Sequence, residues 1–180
     1  LYPEQEMRCP THLSIGQEAP AAGVCAALAT SDVTYSGHRG HAHYLAKGGD
    51  LRAMMAELYG RVTGCSRGKG GSMHLVDPSV GVMGASAIVG GSMPLAVGAA
   101  LAARLRDRDT VAVAFFGDAA VEEGVFHESV GFAALRKLHK QGLSFGKIAD
   151  RIGRSRNACI GRARRMGLPL RAEPELEKTA

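Results

Sequence analysis

The chain has 180 residues, enough for one medium domain and a small one, with 46% hydrophobic and 22% charged residues, the balance of an ordinary soluble globular protein. No apolar run approaches the roughly 20 residues that a membrane-spanning helix needs, so no membrane partner is expected. The net charge of +5 is split: residues 1–135 carry 10 Lys and Arg against 13 Asp and Glu, a net −3, and residues 136–180 carry 12 against 4, a net +8. Such a change of sign predicts two units with different partners.

The four cysteines, Cys9, Cys25, Cys65 and Cys159, form no CxxC pair. They fit neither a zinc site nor a disulfide framework and read as reduced thiols of a cytoplasmic protein. The opening LYPEQEMRCP lacks the basic start and apolar stretch of a secretory signal. Without an initiator Met the chain reads as cut at its front.

Residues 16–30, small and apolar, predict a buried helix that Pro20 would start. Residues 32–37 read as a short strand or loop, and residues 37–44 as a polar, His-rich loop. Asp50 is a predicted N-cap for a helix over 51–59 with Leu51, Met54, Met55 and Leu58 on one face. Residues 61–71 predict a Gly-rich basic loop, and 90–105 a long buried helix. The run TVAVAFF, residues 110–116, predicts a central parallel strand covered on both faces. Gly117 and Asp118 end it, with a helix beginning near Val121. The alternation argues for α/β layering. Beyond it, residues 135–141, 144–152 and 155–166 predict three short helices with turns at Gly142 and Gly153. Ser144 and Ser155 would be their caps, and Leu143, Ile148, Ile152 and Ile160 a small core: a helix-turn-helix pattern.

The strongest chemical signal is TVAVAFFGDAAVEEG. It delivers the Asp118 carboxylate at the carboxyl end of a buried strand, where ligands of open α/β sheets bind. A following helix N-terminus favours phosphate, and a carboxylate beside it can hold Mg²⁺. Read from the residues alone, Asp118 could equally cap the helix. His38, His41 and His43 could be solvated or form a metal cluster, although no carboxylate or Cys spacing supports the latter. His74 reads as structural. Ser72 and Lys69 do not make a phosphate loop, because GxxxxGK[ST] is absent. Glu122 and Glu123 read as helix-start charges.

GDAAVEEGVFHESVGFAAL resembles the thiamine-diphosphate motif. THLSIGQEA, HRGHAHYLAKGGD, RGKGGSMHL and ASAIVGGSMPLAVGAALA, in that order over residues 7–135, resemble segments of the alpha subunits of thiamine-diphosphate-dependent 2-oxoacid dehydrogenases of the pyruvate, acetoin and branched-chain type. The fold implied is α/β: a partial thiamine-diphosphate-binding fold, a parallel sheet with flanking helices over 1–135. The function implied is oxidative decarboxylation of a small 2-oxoacid, with a beta subunit in a heterotetramer and a lipoyl acyltransferase receiving the acyl group. The RGHxHxLAKG form leans slightly towards the acetoin-type or general 2-oxoacid branch. The cofactors implied are thiamine diphosphate and Mg²⁺. By the same resemblance Asp118 is a Mg²⁺ ligand, while Gly117, Ala119 and Ala120 surround the diphosphate. Arg39 binds the diphosphate in a bidentate fork, His38 lies beside the cofactor, and the backbone at Ala87 and Val89 meets the aminopyrimidine. His12 and His41 lie near the reacting carbons, where they would move protons or stabilise charge. The glutamate that activates the aminopyrimidine belongs to the beta subunit.

Two departures stand out. GDG has become GDA, which costs strain if Ala119 needs a positive φ. The Asn that should close the motif near residues 145–150 is replaced by FGKIAD, and Asn157 is the chain's single Asn. Weak or no cofactor binding by this chain alone is therefore expected.

Residues 136–171 keep the pattern GLSxxxIAxxIG-SRNAxIGxxxRxGL and resemble the helix-turn-helix of the GcrA family of bacterial cell-cycle regulators, which binds DNA. Ser155, Arg156 and Asn157 would open its recognition helix, Arg reading guanine and Asn adenine. Arg162, Arg164 and Arg165 would meet phosphates. A solvated basic helix pair is the plainer alternative. Residues 172–180 read as a disordered tail. The alternative function is a DNA-binding regulator in which the enzyme segment is a non-functional remnant.

Overall fold

The computed structural model describes residues 4, 6, 7 and 9–170, so the expected tail at 172–180 lies outside the described residues. The chain divides into two compact units, Leu1–Phe126 and His127–Ala180.

The first unit is α/β. Its elements run α1 (Glu18–Ala26), β1 (Val33–Ser36), α2 (His41–Ala46), α3 (Leu51–Leu58), β2 (Val82–Ala85), α4 (Ser92–Leu105) and β3 (Ala112–Ala114), with 3₁₀ turns at Gly71–Met73, Pro78–Val80 and Asp118–Glu122. The sheet order is β2-β1-β3, with both pairings parallel. The centre is therefore β1, whose VTYS buries Thr34 and Ser36. The expectation that residues 110–116 form the central strand is corrected. Among the described residues β3 pairs with β1 alone, its three residues are half-buried, and Val111 and Phe116 flank it exposed. An apolar β-prone run reports strand propensity, not which neighbours complete the sheet.

Several other expectations are also corrected. Only Ala21 and Cys25 of α1 are buried, one turn apart. On α4, Ser92, Met93, Ala96 and Ala103 are buried while Leu95 and Leu105 are exposed, because a single face meets β1 and β3. The His-rich segment is in part helix: α2 buries His41 and Tyr44 at helical spacing. In α3, capped by Asp50 as expected, the buried stripe is Met54, Glu57 and Leu58, and Leu51 and Met55 are exposed. Tyr44, Met54, Leu75, Val82 and Ala85 form the core here.

The second unit is all-α. Helix α5 (Gly124–Lys140) starts after the 3₁₀ turn rather than near Val121, and it runs unbroken through residues 135–140, so no separate short helix exists there. Helices α6 (Phe145–Ile152) and α7 (Arg156–Arg165) follow; Ser144 and Ser155 accept from the N–H groups of Lys147 and Ala158. Gly142 and Gly153 take the left-handed conformation at the two turns, where a side chain would be strained. The core is Leu135, Phe145, Ile148, Ala149, Cys159 and Ala163, with Leu143, Ile152 and Ile160 packed against it.

Candidate functional site

Three parallel neighbours end at one edge of the sheet. Each is followed by a segment that sequence reading singled out: His38 and Arg39 after β1, Ala87 and Val89 after β2, Gly117 and Asp118 after β3. This is the edge at which an open parallel sheet holds ligands. Ala87 and Val89 are exposed there, and Asp118 is exposed and makes no hydrogen bond or ion pair among the described residues. Its side chain does not cap the turn that follows Gly117. Ala120 departs from expectation: it is buried, and its N–H donates to the Gly117 carbonyl at 3.0 Å, so it is closed to an external phosphate. Ala119 has no positive φ, so the alanine in GDA carries no strain of that kind.

The histidines gather beside this edge. The His12 and His38 rings meet edge-on at 5.1 Å between centroids. Ser72 Oγ accepts the His12 backbone N–H at 3.0 Å and lies 2.8 Å from His41 Nε2. His43 packs on Phe115, just past β3, at 4.1 Å. Arg39 donates from its guanidinium to the Leu13 carbonyl at 2.7 Å, while its own carbonyl accepts from Ser14 Oγ at 2.8 Å. The loop before α1 is thereby tied to the loop after β1. His12 Nδ1 is buried and unpartnered.

Burial pushes the His38 imidazole below its ordinary range, and the His12 ring and Arg39 guanidinium act in the same direction. His41 is lowered by burial, an effect the Ser72 backbone partly offsets and His12 reinforces. His43 is lowered by burial against the Arg39 backbone. These rings are held neutral at neutral pH.

Sequence reading missed Glu57 and set Ser72 aside. Glu57 is 1% exposed. Its Oε2 accepts the N–H groups of Ser66 and Gly68, each at 2.8 Å, and its Oε1 those of Gly70 and Gly71 at 2.7 and 3.0 Å. Burial opposes the charge of this carboxyl, but the four donors outweigh it and hold the group below the usual carboxylate range. The signal was present: a carboxylate on the buried stripe of a helix just before a Gly-rich loop.

Among the described residues, no group of three or more His, Cys, Asp or Glu side chains is arranged to hold a metal ion by itself. In the second unit, Ser155 caps α7, and Arg156, Asn157, Arg164 and Arg165 are exposed. Arg162 is half-buried over the Phe132 ring at 5.8 Å, away from the free position expected of a phosphate contact.

Residues 1–140 match the family described as the dehydrogenase E1 component. The chain belongs to this family. Its relatives include the alpha subunits of acetoin:2,6-dichlorophenolindophenol oxidoreductase from Bacillus subtilis (51% identical over 127 residues, 71% of this chain and 38% of the relative) and Cupriavidus necator (48%, with the same coverage). A third is the pyruvate dehydrogenase E1 component subunit alpha-1 of Oryza sativa, 44% identical over 138 residues, 77% of this chain and 35% of the relative. This dehydrogenase E1 chain thus spans little more than a third of the length of these relatives. Residues 128–180 match the GcrA cell cycle regulator family, which makes the C-terminal part similar to those regulators. No helix among the described residues is long and apolar enough to cross a membrane.

Proposed function

We propose that residues 1–135 are an alpha-subunit segment of a thiamine-diphosphate-dependent 2-oxoacid dehydrogenase of the pyruvate or acetoin type. The observation that carries this reading is the convergence of Arg39, Ala87–Val89 and Asp118 beyond the carboxyl ends of three adjacent parallel strands. The residues fit the cofactor: an unpartnered carboxylate, a guanidinium with exposed donors, and a buried, orphaned His12 Nδ1. Asp118 would hold Mg²⁺ against the diphosphate, since Mg²⁺ is commonly bound by one or two carboxylates plus phosphate oxygens and water. Arg39 would neutralise the same phosphates. The backbone after β2 would orient the aminopyrimidine.

Thiamine diphosphate supplies the nucleophilic carbon that makes decarboxylation of a 2-oxoacid feasible. His12 and His41 would donate hydrogen bonds to charge that develops on the substrate oxygen. A beta subunit would complete the site and a lipoyl acyltransferase would take the acyl group. The four free thiols suit a cytoplasmic setting. The reading is tested by isothermal titration of the chain with thiamine diphosphate and Mg²⁺, beside Asp118→Ala. Weak binding that the substitution abolishes is expected, because the sequence at 145–150, FGKIAD, lacks the Asn that would be a second Mg²⁺ ligand. Binding that Asp118→Ala leaves unchanged would sink the reading, and no binding by either folded chain would show the missing Asn to be indispensable.

A second function, DNA binding by residues 136–171, is favoured by the Ser155-capped start of α7, which leaves Arg156 and Asn157 exposed on a segment of net charge +8 over 136–180. Duplex binding that weakens steeply with salt is the expected result. Salt-independent or absent binding would leave this segment a solvated basic surface.

A further inference from the structure

His41, the first residue of α2, and Ser72, in the Gly71–Met73 turn, meet at 2.8 Å between Nε2 and Oγ. A serine and a histidine at that distance can be a nucleophile and its base. Two facts exclude that use. Ser72 is 1% exposed, so no substrate carbonyl reaches its oxygen, and the same oxygen already accepts the His12 backbone N–H at 3.0 Å.

A proton count decides what the pair does instead. A serine hydroxyl has one proton and two lone pairs. The His12 N–H occupies one lone pair. Among the described residues no acceptor other than His41 Nε2 bonds to the hydroxyl. If Nε2 carried a proton, it would take the second lone pair and leave the Ser72 proton buried without an acceptor, the arrangement that folded proteins avoid. If Nε2 is bare, the Ser72 proton and the Nε2 lone pair satisfy each other. Ser72 is also held from behind, because the Gly71 N–H donates to the buried Glu57 carboxylate at 3.0 Å.

We propose that Ser72 is a positioning residue whose hydroxyl donates to His41 Nε2 and so fixes the neutral imidazole with its proton on Nδ1. His41 then has its one acceptor occupied and offers a single donor, Nδ1–H. It can stabilise developing negative charge but cannot serve as a base through Nε2. The catalytic meaning of this assignment rests on the proposed cofactor reading. The assignment itself is read without cofactor, so the two can fail separately.

The test is long-range ¹H–¹⁵N correlation on the full chain with ¹⁵N-labelled histidine, at about pH 8, above the ordinary imidazole range. The His41 signals are identified by their loss in His41→Gln. The wild type should show the Nδ1–H form. Ser72→Ala should return His41 to the Nε2–H form that imidazole favours in water, and Ser72→Thr, which keeps the hydroxyl, should restore Nδ1–H. An Nε2–H form in the wild type would overturn the proposal, as would an Nδ1–H form that persists in Ser72→Ala.

Discussion

The Glu57 carboxylate accepts the backbone N–H of Gly70 at 2.7 Å, and through this bond and three like it one buried side chain holds the loop that carries Ser72. Removing it leaves four donors without their partner. Glu57→Ala should destabilise the first unit by about 3 kcal/mol or more, since charge-assisted bonds are the strong ones and buried donors are costly to strand. Urea unfolding followed by circular dichroism reads this, and a loss below about 1 kcal/mol would contradict the role assigned to Glu57.

The same carboxylate has a pH signature. Its folded pKa is depressed, so its contribution is present above the unfolded value, near 4.3, and is lost as pH falls through the lower folded value. The stability gap between wild type and Glu57→Gln should therefore be constant from about pH 7 to 5 and narrow below about pH 4. A gap that widens in acid would show the sign to be wrong.

His38, His41 and His43 are also depressed, which for a base means that the fold prefers the neutral ring. The unfolded chain then binds protons first. Stability from these rings is complete above the unfolded value, near 6.5, and falls as pH drops through the folded values. His43→Leu, which keeps an apolar contact with Phe115, should flatten part of the decline in melting temperature between about pH 7 and 5. An unchanged slope would mean that His43 does not titrate against folding.

Gly81 has φ +82°, and a Cβ there would run into the Asp32 carbonyl. Its own carbonyl accepts the Thr34 N–H at 2.8 Å, beside the β1–β2 register. Gly81→Ala should cost about 1–3 kcal/mol through strain and overpacking. Ala119→Gly provides the contrast: Ala119 has no positive φ, so adding the glycine should leave stability unchanged or lower it by less than about 1 kcal/mol. A gain in melting temperature from Ala119→Gly would show hidden strain in that turn.

For the DNA-binding reading, Arg164→Ala and Arg165→Ala should each reduce the salt dependence of duplex binding by about one counterion. Arg162→Ala should change that slope little and lower the stability of the helical unit instead, because its guanidinium lies over Phe132. Equal slopes for all three variants would remove this distinction.

Much of the fold was legible. Glycines with left-handed backbone, the caps Asp50, Ser144 and Ser155, and the period of α6 are local signals, and local chemistry suffices to read them. The order of motifs was enough to reach the family. The centre of the sheet was not legible, because VTYS is short and half polar and TVAVAFF looks more like a central strand than it is. The role of Glu57 was not legible either, since four backbone donors from residues 66–71 become its partners only when α3 and the loop are packed together. The same holds for Ser72. In sequence it stands 60 residues from His12 and 31 from His41, and nothing local joins them. The sequence by itself determined most element types, the turns, the family and the residues placed at strand ends. Only the tertiary structure decided which strand is central, which N–H groups remain open and which groups each histidine meets, because those depend on groups brought together across long stretches of chain, where burial makes every unmatched donor count.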